Sequence, residues 1–80
     1  MAVSLTTEQR RALEILDSIP HGAAEALMFS HGFRRETLAG LVLAGLATVV
    51  TETVRADGPP VKVERMLITD AGRDALTAEG

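Results

Sequence analysis

Two adjacent arginines, Arg34 and Arg35, open an apolar stretch of helix-forming residues. Two cations at a helix start oppose the macrodipole and stand where Ser, Thr or Asp would normally cap the backbone N–H groups. A local rule broken in this way can mark a site, and the chemistry two guanidinium groups offer is a clamp on phosphate oxygens. Thr37 adds a hydroxyl close by, and Arg55, Lys62 and Arg65 supply further cations for the same patch. Glu52, Asp57 and Glu64 are interspersed with them, so a solvated, mixed-charge surface is the competing reading there. Two solvated arginines beside Glu36 is the competing reading at the helix start.

Other chemistry has thinner support. His21 and His31 stand ten residues apart in a chain without cysteine, which is not metal-ligand spacing. His21 reads as a turn residue, and His31 as a residue beside a helix end where its ring can meet free carbonyls. None of Ser4, Ser18 and Ser30 lies in a nucleophile elbow, and no Gly-rich phosphate loop occurs. Glu14, Asp17 and Glu25 fit the solvated faces of amphipathic helices, so no general acid or base is nominated. The expectation is a non-enzymatic chain with neither cofactor nor metal.

Composition narrows the partners. The 80 residues, 46% of them hydrophobic, suit one domain over 1–80 with a single core. A net charge of -3 and a pI near 5.2 remove the broad attraction that drives non-specific nucleic-acid binding, so DNA contact would need a local basic patch. Phe29 and Phe33 are the only aromatic rings of the Phe, Tyr and Trp class, too few for a base-stacking platform. The opening residues lack the pattern of a secretory signal, and the apolar run from Leu38 to Val50 is shorter than the ~20 residues a membrane span requires. With no cysteine to mark an oxidising compartment, the expectation is a cytoplasmic protein away from the membrane.

The residues that could do chemistry must be held by elements whose signals are clear. Thr6 and Gln9 form a capping box ahead of Ala12, Leu13, Leu16 and Ile19, which predicts a helix from Thr7 to about Ser18. Pro20 and Gly22 break it, and a second helix is predicted from about Ala23, with Leu27 and Met28 inward. Gly32 is placed to close that helix in the left-handed conformation, letting Phe33 fold back on Met28. A third helix is predicted from Arg35 to Ala44, with Leu38, Leu41 and Val42 inward, Gly45 at its stop and Leu46 returning to Leu41. Val- and Thr-rich runs at 47–55 and 61–68, separated by Asp57-Gly58 and two prolines, predict a hairpin with a stiff projecting tip. Thr69 and Asp70 then start a short closing helix.

The order of these elements resembles the winged helix-turn-helix superfamily: three helices, a β-hairpin wing and a short C-terminal helix, of α+β class. Leu43-Ala44-Gly45-Leu46-Ala47 resembles the passage from recognition helix to first wing strand, and Ile68-Thr69-Asp70-Ala71-Gly72-Arg73-Asp74-Ala75-Leu76 resembles the exit from the second wing strand of MarR-type and PadR-type bacterial regulators. The resemblance covers nearly the whole chain and implies a module binding double-stranded DNA in transcription regulation. The long additional helices with which many such regulators dimerise have no counterpart here.

Projecting the third helix at about 100° per residue sets Glu36, Ala39, Gly40 and Leu43 outward, with Thr37 and Ala44 to one side. That face offers a carboxylate and side chains with little hydrogen-bonding capacity, whereas base-edge readers are Arg, Lys, Asn and Gln. The alternative to DNA is a protein interface, most simply a homodimer, through Ala39, Gly40, Leu43 and Ala44. The expected core is Leu13, Leu16, Ile19, Leu27, Leu38, Leu41, Val42, Leu46, Met66, Ile68 and Leu76. Ile68→Asp would bury an unpaired charge within it, so this variant is expected to be unfolded by circular dichroism at neutral pH.

Overall fold

A computed structural model describes residues 4–55 and 57–79; residues 1–3, 56 and 80 of the expected single domain lie outside the described residues. Seven elements follow one another: α1 (Thr7–Asp17), β1 (Ala23–Ala24), α2 (Glu25–Ser30), α3 (Arg35–Leu43), β2 (Ala47–Val54), β3 (Val61–Ile68) and α4 (Asp70–Glu79). The class is α+β, with four helices and one antiparallel sheet of order β1-β3-β2.

Local chemistry accounts for most boundaries. Thr6 Oγ1 accepts the Gln9 N–H and Gln9 Oε1 accepts the Thr6 N–H, both at 3.0 Å, which completes the capping box of α1. Helices α2 and α3 end in the same double-bonded turn. Gly32 has φ +89° and donates to the Phe29 carbonyl, while Phe33 donates back to Met28. Gly45, at φ +76°, donates to Val42, and Leu46 donates to Leu41 at 2.9 Å. Only a residue tolerant of positive φ closes such a turn without strain, and the returning apolar residue is thereby delivered to the core.

Three expectations need correction. The second helix does not start at Ala23; Ala23 and Ala24 form β1, antiparallel to Met66 and Arg65 of β3, and α2 begins at Glu25. Alanine has low strand propensity, so a two-residue alanine strand leaves no mark in the sequence and exists because β3 offers it a partner. Leu27 is 42% exposed because the six-residue α2 buries only Met28. Val42 is 37% exposed because α3 buries only Leu38 and Leu41, one turn apart. Leu13, Leu16, Leu46, Met66 and Ile68 are buried as expected, and Ile19 and Leu76 are half-buried against them. Ala12, Ala23, Met28, Phe33, Ala47 and Ala75 complete the core.

The core occupies one end of the molecule. Of β2 only Ala47 is buried, and of β3 only Met66 and Ile68, so the far halves of both strands project beyond the helices. The chain measures 48 × 23 × 20 Å in consequence. At the near end the hairpin is fastened by Thr69. Its N–H donates to the Leu46 carbonyl at 3.1 Å, its hydroxyl donates to the Gly45 carbonyl at 2.6 Å, and the same oxygen accepts the Gly72 N–H at 3.1 Å, capping α4. Gly72 itself permits this approach, since a Cβ there would overlap the Leu46 carbonyl oxygen and come within 2.7 Å of Ile68 Cγ1. Alanine is ordinarily favoured over glycine in a helix by about 1 kcal/mol. Gly72→Ala is nevertheless expected to cost about 1–3 kcal/mol through overpacking, measurable as a lower urea midpoint at unchanged slope.

Candidate functional site

The start of α3 is tied to another helix. Glu8, in the first turn of α1, accepts the Arg34 N–H on Oε2 at 3.0 Å and lies 3.4 Å from Arg34 Nε through Oε1. The Thr37 hydroxyl lies near the same carboxylate and favours its charged form. No side chain caps the first-turn amides of α3; a carboxylate 26 positions earlier instead holds the Arg34 N–H, and it offsets the unfavourable placement of a cation at this end. The Thr37 hydroxyl first, then the Arg34 N–H and its guanidinium, hold the Glu8 carboxyl below its ordinary value against a smaller opposing effect of desolvation.

The remaining candidate cations divide between two sides of the sheet. Successive strand residues point to opposite faces, and Met66 and Ile68 are buried on the core side. Lys62, four residues before Met66, therefore lies on the core side of the projecting hairpin, opposite Thr53. Arg65 lies on the outer side, where its Nε donates to Glu52 at 2.9 Å. Arg55 is exposed just past the end of β2. Arg35 is exposed on the core side, its guanidinium carbon 5.8 Å from the centroid of the Phe29 ring. Of the six candidate phosphate contacts, Arg35 and Lys62 thus share one open side. Arg34, Thr37 and Arg65 each have a carboxylate partner within the chain.

Arg35 stands at the rim of an open cleft of about 420 Å³ between α2, α3 and the core side of the sheet. Phe29, Leu38, Ala39, Val42 and Val49 line it, with Glu25 at its edge. Leu43 borders the same cleft and is 89% exposed, so the projection that turned it outward is correct. Ala39, Ala44 and Glu36 are exposed as well. Gly40 is half-buried instead of outward, because it faces α1, where a Cβ would lie 3.8 Å from Gln9 Nε2. His21 sits exposed in the turn before β1, and His31 stands at the C-cap of α2, its ring 6.4 Å from that of Phe33.

Glu8 and Phe29 are the participants that sequence reasoning missed. Glu8 reads locally as an acid at the favourable end of α1, and only the packing of α1 on α3 brings it against Arg34. No protein-family model, curated protein or solved structure matches this chain. Among the described residues no helix is long and apolar enough to cross a membrane. A carboxyl whose folded value is lowered adds stability above the ordinary carboxylate range and loses it as pH falls through the lowered value. Glu8→Ala is therefore expected to lower the melting temperature at pH 7, and the gap between variant and parent should close as acid melts are taken below about pH 4.

Proposed function

We propose that this chain is a winged helix-turn-helix domain that binds duplex DNA without catalysis, through phosphates and groove shape and not through base edges. The observation that carries the reading is the arrangement of α2, a tight turn and α3 beside a projecting hairpin, with Arg35 and Lys62 on the same open side. Such a body presents a helix to one groove and a hairpin to the flanking backbone. The open side of α3 carries Glu36, Ala39 and Leu43, none of which reads bases well, so the binding is tolerant of sequence. Arg34 and Arg65 are neutralised in part by Glu8 and Glu52 and contribute less than the unassisted sequence implies. With a net charge of -3, association is confined to low ionic strength.

A second reading rests on Leu43, an almost fully exposed leucine at the rim of an apolar cleft, which suits a protein contact through α3. One titration of labelled duplex DNA at several salt concentrations separates the two. Under the DNA reading, affinity falls steeply with salt, and Arg35→Ala combined with Lys62→Ala lowers the salt slope by about 2. Absence of binding at low salt, with Leu43→Glu abolishing a concentration-dependent self-association of the parent chain, selects the protein contact instead.

A further inference from the structure

Among the described residues, strand β2 lies at the end of the sheet, bonded to β3 on one side only. Its eight residues keep register with β3 at every position. Thr69 N–H donates to the Leu46 carbonyl, which makes 46 and 69 a hydrogen-bonded pair of the antiparallel ladder. In unbroken register Thr48, Val50, Glu52 and Val54 then bond inward to β3, and the N–H and C=O groups of Val49, Thr51 and Thr53 face the open edge.

Natural edge strands are ordinarily short, or interrupted by Lys, Pro or a bulge, because a bare edge recruits another strand. β2 has none of these protections. It is longer than the usual five or six residues, every position after Ala47 is exposed, and its one charge, Glu52, is held by Arg65 on the outer face.

We propose that β2 is a pairing edge whose occupant is a second copy of this chain, aligned antiparallel to it about a two-fold axis at Thr51. The strand is complementary to itself in that alignment. Thr51 meets Thr51, Val49 meets Thr53, and Glu52 meets Val50 of the second copy, so outward-facing backbone groups meet their counterparts and no like charges oppose each other. The hairpin projects beyond the helices in a molecule 48 Å long overall, which keeps the two sets of helices apart. On the outer face exposed Val50 of each copy packs beside the aliphatic stem of Glu52 of the other, and exposed Val54 beside Thr48. The product is a six-stranded sheet with both α3 helices on the same side, and the inference stands independently of the DNA reading.

Sedimentation equilibrium of the full chain tests it. The apparent mass should rise from one chain towards two between low and high micromolar concentration. Over that range hydrogen exchange should slow several-fold at the Val49, Thr51 and Thr53 amides, while Thr48, Val50 and Glu52, already bonded to β3, change little. Thr51→Pro and Thr53→Pro each remove a donor that faces the edge and none that bonds β3, and either should hold the mass at one chain with the circular dichroism of the parent. Using both keeps the comparison intact where one of them fails to fold. A single-chain mass at all concentrations, an association that leaves those three amides unprotected, or one indifferent to a folded proline variant overturns the proposal.

Discussion

The contact between the start of α4 and the exit from α3 governs this molecule. One threonine hydroxyl donates to the Gly45 carbonyl and accepts from Gly72, while the Thr69 backbone bonds Leu46. Four elements meet there: the end of α3, the first residue of β2, the last of β3 and the first turn of α4. The close backbone approach excludes a Cβ at Gly72, and the left-handed turn at Gly45 sets the direction in which β2 leaves. If the junction loosened, the buried ends of both strands, Ala47 and Ile68, would lose the helix packed beside them, and with them the anchor of the hairpin.

A second constraint is electrostatic. Glu8 ties α1 to α3 through the Arg34 N–H and guanidinium and beside the Thr37 hydroxyl, so groups that suggest a phosphate site already hold a carboxylate. Arg65 and Glu52 form a comparable pair across the hairpin. Arg34 and Arg65, two of the cations singled out by the sequence, are therefore already partnered, and the open side between α3 and the sheet is apolar with Arg35 at its rim. Exposed ion pairs of this kind add little to stability, but they do lower the field that a phosphate backbone would meet.

The division of the chain into a packed end and a bare hairpin follows from its size. One core of small and medium side chains consumes Leu13, Leu16, Met28, Leu41 and Met66 and leaves nothing to cover Val50, Val54 or Val61. Those valines hold the strands extended through their propensity and cross-strand pairing, with no burial against helices.

What the amino-acid sequence determined by itself was local. The capping box at Thr6, the glycine-closed ends of α2 and α3, the hairpin and the threonine start of α4 all rest on interactions within about five residues, or on period-two patterning. The outward placement of Leu43 followed from helical geometry alone. Tertiary structure decided the rest. The alanine strand β1 exists because β3 lies beside it, Leu27 and Val42 are exposed because short helices bury only one narrow stripe, and Glu8 reaches Arg34 because α1 packs against α3. Each of these depends on a partner distant in sequence, and propensity and spacing carry no record of a neighbour that arrives only when the chain has folded.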